Sequence, residues 1–189
     1  MPDNDNRLLK KARNGDKTAF GKLVKKYHQK ALYLAYDVIG DYDEAKDIAQ
    51  DAFIRAYTKL GQFEKRARFS TWLYRIVVNL ALDNYRKKKR YPLKSLDASI
   101  KEIESQNKEF DNISIKPDKL VEFDETQVKL DEALNELTEN QKTATILRYF
   151  HQKSSKEIAD IMGCAESTVR IHIHRALGNL KKYLDKSEY

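Results

Sequence analysis

Cysteine occurs once in this 189-residue chain, at Cys164. A disulfide within the chain needs two thiols and a cysteine zinc cluster needs several, so neither can form. A reducing setting, the cytoplasm, is expected. Glycine, at 6, and proline, at 3, are also scarce, and apolar residues recur at intervals of three and four rather than two. That period predicts an all-α fold. No run approaches the roughly 18 apolar residues of a membrane span, and the N-terminal MPDNDNRLLKK has no signal-peptide core. The chain is expected to stay inside the cell.

Catalytic furniture is equally sparse. There is no glycine-rich phosphate loop and no grouping of nucleophile with base. His172 and His174 lie two residues apart, about 200° around a helix, and so cannot chelate one metal. His28 and His151 stand isolated in the sequence. No catalytic residue, metal site, cofactor or small-molecule substrate is expected, and the chain does not read as an enzyme.

Charge, by contrast, is plentiful and unevenly placed. Lys and Arg number 36 against 29 Asp and Glu, net +7. Residues 1–96 hold 22 cations and 11 anions, net +11; residues 97–139 hold 5 and 13, net −8; residues 140–189 hold 9 and 5, net +4. Two basic blocks around an acidic middle suggest two polyanion-facing modules and a solvated connector. The hydrophobic share of 41% permits a core divided among short helices.

Helical periodicity divides the chain into a first domain over 1–94, a flexible acidic linker over 95–125 and a second domain over 126–189. In the first, Phe20, Leu23, Val24 and Tyr27 lead through Leu32 to Val38, and Gly40 ends that run. Asp41 and Glu44 resemble a capping box, followed by a wide apolar face from Ala45 to Leu60. Leu73, Ile76, Val77, Leu80 and Ala81 make the core stripe of a helix that begins near Ser70 or Thr71. It ends in five consecutive cations, Arg86 to Arg90. Pro117 breaks any helix in the linker, which mixes Ser, Asn, Lys, Asp and Glu without sustained period.

The strongest local pattern is SSKEIADIMGCAESTVRIHIHRALGNLKKYL. Ser154 and Glu157 make a capping box, Ile158, Ala159 and Ile161 face inward, and Gly163 suits a tight turn. Val169, Ile173, Leu177, Leu180 and Leu184 then form the expected buried side of a second helix, leaving Ser167, Arg170, Ile171, His174, Arg175 and Gly178 outward. Upstream, Thr138 and Gln141 form another capping box, with Ile146, Leu147 and Phe150 as support. Two helices around such a turn match the helix-turn-helix, whose second helix enters the DNA major groove. Arg170 and Arg175 suit guanine edges or phosphate, Ile171 a thymine methyl, and His174 a donor or stacking role. A plain helical hairpin with solvated cations is the alternative.

Two further surfaces lie in the first block. Asp47, Gln50, Asp51, Ile54 and Thr58 line the helix side opposite its core, an acidic and amide face around one isoleucine. This suits protein docking, or else it is a solvated face with a stray apolar residue. Trp72, Arg75, Asn79, Asp83 and Arg86 form a second stripe on the cation-tipped helix, preceded by a loop with Lys65, Arg66, Arg68 and Phe69. Aromatics can stack on extruded bases, Asn and Asp can read base edges, and the cations can hold phosphate. Trp72 serves equally well as a core anchor.

DEAKDIAQDAFIRAY, then FSTWLYRIVVNLALDNYRKKKR, then LTENQKTATILRYF and KEIADIMG with STVRIHIHRAL together resemble a bacterial sigma factor of the extracytoplasmic-function (ECF) group. The resemblance covers nearly the whole chain apart from the linker. It implies two small helical domains, sigma-2 and sigma-4, and an initiation factor that binds core RNA polymerase and recognises and melts promoters. By that resemblance, Asp47, Gln50, Asp51, Phe53, Ile54 and Tyr57 engage the polymerase clamp. Lys65, Arg66, Arg68, Phe69, Trp72, Arg75, Asn79, Asp83 and Arg86 melt and read the −10 element as a single strand. Ser167, Thr168, Arg170, Ile171, His174 and Arg175 read the −35 duplex. An anti-sigma factor is a further implied partner. Ile171 and His172 replace a small polar residue and a cation found in many relatives. A stand-alone helix-turn-helix repressor or activator is the competing function, and it leaves the Asp47 to Ile54 face without a task.

Overall fold

The computed structural model describes residues 2–63, 67–90 and 125–187. They are helical throughout, with no strand among them. The proposed linker, but for its last residue, and the boundary at residue 94 fall outside the described residues.

Each start and stop has a local chemical cause. α1 spans Pro2–Arg13, and α2 spans Lys17–Ile39. Asp16 caps α2 by accepting from the Ala19 amide at 3.0 Å. Gly40 ends it in the left-handed conformation at φ 82°, donating its N–H to the Tyr36 carbonyl. α3 follows over Tyr42–Thr58, capped by Asp41. Glu44 does not return the bond as a capping box would, but pairs with Lys88 at 2.5 Å, tying the cation run to the bundle. α4 spans Phe69–Arg90, starting one residue before the sequence expectation.

The first four helices form a bundle. α3 turns Ala45, Ala49, Ala52 and Ala56 inward with Ile48 and Phe53, and the small side chains let neighbouring backbones approach closely. α4 lies centrally, packed against α2, α3 and a helix from the C-terminal part. It buries Leu73, Val77, Leu80 and Ala81 on the expected stripe, and also Tyr74 and Val78 on a second. Ile76 is only half-buried. Truncating a fully buried leucine such as Leu73 costs roughly 2–5 kcal/mol.

α5 spans Glu125–Asn135 and α6 Glu139–Thr145, continued by a π-helical turn at Ile146–Phe150. α7 is Ser155–Met162 and α8 is Glu166–Ser187. Both expected capping boxes are closed, Thr138 with Gln141 and Ser154 with Glu157. Gly163 takes φ 70° between α7 and α8. Three expectations need correction. Ala176 is fully buried where Leu177 was expected, because Leu177 turns 45% of its surface outward, as does Leu184 with 47%. Phe150 is 43% exposed: the π turn shifts it off the inner side that Ile146 and Leu147 fill.

One apolar core runs through both halves of the chain. Leu34, Leu73 and Val77 belong to the same buried cluster as Ile146, Leu147, Ile158, Ile161 and Val169. A small second cluster joins Leu134, Leu137 and Ala176.

Candidate nucleic-acid interface

Three faces carry the sequence-predicted site residues, and the fold treats them differently. On α3, Asp47, Gln50 and Asp51 are exposed, with Ile54 at 54% and Tyr57 at 39% exposure between them. An isoleucine more than half exposed among carboxylates is an unspent apolar centre. Phe53 is 5% exposed. Its helical position turns it under the face and not onto it, where it stacks near His28 at 6.3 Å. Burial, with Lys46 adding, lowers the His28 pKa.

On α4, Arg75, Asn79, Asp83 and Arg86 lie along one exposed stripe. Asp83 sits 3.8 Å from the Arg86 guanidinium. The aromatic members behave otherwise. Phe69 is 3% exposed and belongs to a ring cluster with Tyr27, Phe63 and Trp72. Trp72 is half-buried, 5.0 Å from the Phe63 ring. Phe69 is therefore a core residue here, and Trp72 offers only an edge beside the stripe. Arg68 is exposed; Lys65 and Arg66 lie outside the described residues.

Two members of the exposed stripe, Arg75 and Arg86, also meet the C-terminal helices. α7 packs along α4, and the Arg75 guanidinium reaches the turn so closely that a Cβ on Gly163 would lie 2.7 Å from its nitrogen. Arg75, Trp72 and Phe63 line a cleft of about 220 Å³ together with Asp160 of α7. Arg86 Nε donates to Glu139 Oε2 at 2.8 Å. His151 Nε2 lies 2.8 Å from Asp37 Oδ2, with both side chains largely covered, so His151 is not the isolated residue its sequence context suggests.

Two lysines sit on aromatic rings of α4. Lys153 stands 4.9 Å over Tyr74 and Lys142 6.0 Å from Tyr85. Burial lowers the pKa of each. Burial pushes the Tyr74 hydroxyl up to about 12, with Tyr27 adding to it. These rings and lysines were missed from the sequence, although Tyr74, Val78 and Tyr85 at helical spacing make a second apolar stripe.

On α8 the third face is open. Ser167, Arg170, Ile171, His174 and Arg175 are exposed, Thr168 is half-buried, and Val169 and Ala176 are fully buried opposite. Arg170 pairs with Glu166 on its own helix at 2.6 Å, an exposed pair that holds the guanidinium only weakly. Ile171 keeps 50% of its surface in water. A half-exposed isoleucine flanked by arginines is the arrangement a major-groove helix needs. Cys164 is half-buried beside the turn, and burial pushes its thiol pKa up, against a reactive thiolate. Among the described residues, no group of three side chains could hold a metal ion, and no helix is long and apolar enough to cross a membrane.

Comparison with known proteins bears on the family of the whole chain. The Sigma-70 region 2 family matches residues 23–91, and Sigma-70, region 4, matches residues 127–180. The chain is 35% identical over 178 residues to the ECF RNA polymerase sigma factor SigW of Bacillus subtilis, covering 93% of this chain and 94% of that protein. It is 36% identical over 186 residues to the RNA polymerase sigma-H factor of Pseudomonas aeruginosa, covering 96% and 94%. In three dimensions it resembles CnrH, solved in complex with the cytosolic domain of CnrY, at TM-score 0.69 and 23% identity over 97% of this chain and 98% of that one. It also resembles the sigma factor RpoE of Bartonella quintana, solved with the anti-sigma factor NepR, at TM-score 0.61 and 22% identity over 88% and 96%. Near-complete coverage at such identity, with both sigma-70 regions in order, means that the chain belongs to the ECF family of RNA polymerase sigma factors.

Proposed function

We infer that this chain is a promoter-specificity subunit: it binds bacterial core RNA polymerase, recognises a promoter and starts its transcription. The observation that carries the reading is the coexistence, on one chain, of an open helix-turn-helix face on α8 and an open acidic face around Ile54 on α3. A stand-alone regulator needs only the first of these.

The roles divide by chemistry. Asp47, Gln50, Asp51, Ile54 and Tyr57 dock on polymerase, with charge steering the encounter and Ile54 supplying desolvation. Arg170, Ile171, His174 and Arg175 read duplex base edges of the −35 element, with Ser167 and Thr168 at the helix start. Arg68, Arg75, Asn79, Asp83 and Arg86 hold and read the separated −10 strand, with Lys65 and Arg66 in the preceding loop and the Trp72 edge beside them. The domains run over 1–94 and 126–189, joined by an acidic linker over 95–125. The subunit contributes no catalytic group, and its partners place it in the cytoplasm. An anti-sigma factor is a further proposed partner, since the closed arrangement offers one surface spanning both halves.

Purified chain added to core polymerase should produce discrete transcript starts from a genomic promoter library. Starts no more numerous than with core alone would sink the reading. Tight operator binding without polymerase would favour the stand-alone regulator.

A further inference from the structure

Three parts of the chain bring cations to one place. α2 packs against the π-helical turn and α4 against α7. Where they meet, Lys30 of α2, Arg68 just before α4 and Lys153 just before α7 lie near enough for their charges to act on one another. Burial comes first in lowering the Lys153 pKa; Glu157 opposes it, and Lys30 and Arg68 lower it further. Arg68 also acts on the Glu157 carboxyl and on the Tyr27 hydroxyl. The floor beneath is aromatic, with Lys153 Nζ 4.9 Å over the Tyr74 ring and Lys26 Nζ 5.1 Å over the Tyr27 ring.

The charges at this junction do not balance. Lys26 has its own carboxylate, Asp5, at 2.5 Å. That leaves Lys30, Arg68 and Lys153 against Glu157, three cations to one carboxylate, net +2. Glu157 is already engaged, because the amide and hydroxyl of Ser154 donate to its Oε2 at 3.0 and 2.9 Å. Between other parts of the two halves the charges are matched: Arg86 has Glu139 and His151 has Asp37. Like charges held together raise the free energy of the folded chain, and an anion seated among them removes the repulsion. A phosphate group suits the donors present, since Arg68 offers a planar fork and the lysines offer point charges. Lys30 and Arg68 are exposed while Lys153 is half-buried, so an anion can enter from water and meet a drier end, where a charge interaction is worth more.

We propose that Lys30, Arg68 and Lys153 form a binding site for a free phosphate-bearing anion, which when bound ties α2 and α4 to the C-terminal half. The phosphates of a nucleic-acid backbone carry the same chemistry, and the experiment separates the two sources. The site goes beyond the promoter reading and stands without it.

The probe is inorganic phosphate, compared with chloride at matched ionic strength and pH, with thermal unfolding of the full chain as the readout. Lys30→Gln is the main variant, because Lys30 is exposed and its loss leaves the core intact. Lys153→Met keeps an apolar stem over Tyr74 and removes the charge. Lys22→Gln, exposed about two turns earlier on α2, controls for net charge. With phosphate at several times the midpoint of its titration, the parent should unfold about 2–4 °C higher than in chloride. Lys30→Gln and Lys153→Met should lose most of that rise and Lys22→Gln should keep it. The comparison between variants cancels the general stabilisation that phosphate gives through exclusion from protein surfaces. In low-salt chloride Lys30→Gln should be no less stable than the parent, because repulsion on Lys153 is relieved. A clear loss of stability there would make Lys30 a structural residue and overturn the site. An equal phosphate response in the parent and Lys30→Gln, or an equal loss in Lys22→Gln, would also overturn it. A fluorescein-labelled single-stranded DNA of mixed sequence is titrated in parallel. Weaker strand binding by Lys30→Gln, without a phosphate-specific shift in the parent, would assign the junction to nucleic acid and overturn the free-anion proposal.

Discussion

The α3 face and the α4 stripe lie on neighbouring helices of one bundle, yet they meet opposite circumstances. Around Ile54, Asp47 and Asp51 of α3 stand exposed among the described residues. Along α4, α7 packs closely, Arg75 reaches the Gly163 turn and Arg86 is bonded to Glu139. The difference teaches that neighbouring helices of one bundle can be engaged to unequal extents by the C-terminal half. A surface proposed for polymerase is exposed around Ile54, whereas the surface proposed for the melted strand is exposed but engaged by the C-terminal helices at Arg75 and Arg86.

Four changes would break or sharpen that contrast. The largest effect is expected on the open face: Asp51→Arg combined with Ile54→Asp should weaken core polymerase binding by roughly 2–5 kcal/mol with the helical circular dichroism unchanged. Parent-like affinity in a competition titration would remove α3 from the interface. Arg175→Ala, on the other open face, should weaken −35 duplex contact by roughly 1–3 kcal/mol if it holds a base edge. Holoenzyme footprints on wild-type and −35-mutated promoters check it, and an unchanged promoter profile would discard the assignment.

At the α4 stripe, Gly163→Ala forces a Cβ into a left-handed position, which costs roughly 1–2 kcal/mol, and crowds the end of the Arg75 side chain. Thermal unfolding should begin a few degrees earlier, with Arg75→Ala in the same background recovering only the smaller, steric part. The smallest effect concerns acid. The Glu157 pKa is lowered from its usual 4.5, first by the Ser154 amide. Its contribution to α7 is thus complete above 4.5 and is lost as pH falls through the lowered value. Glu157→Gln should flatten that acid limb of stability, as read from melting temperature against pH. A limb of unchanged slope would assign the acid sensitivity elsewhere.

Much of the molecule was legible from the residues alone. The helical period, the Ser154 and Thr138 capping boxes, and the Gly40 and Gly163 stops depend on contacts within a few positions of one another, so spacing is enough to find them. The outward set on α8 was legible for the same reason, since one helix face is a local property. Phe53 is buried as its place in the α3 apolar face predicts, whereas Phe69 and Leu177 were misplaced because each lies at the margin of an apolar face. There, which way a side chain turns depends on the neighbour that arrives, and Ala176, being small, admitted the close packing that left Leu177 outside.

The surplus on α4 marks the division most sharply. By sequence, the helix visibly had more sticky surface than one core requires, and its residue types suited a polyanion. What lay against it was decided by tertiary packing: α7 packs along the helix, and Glu139, which bonds Arg86, is more than 50 positions away from it. Local interactions are short in sequence and repeat with the backbone, so they can be read in order along the chain. A contact between distant segments depends on how two whole surfaces fit, and that is settled only when the chain has folded.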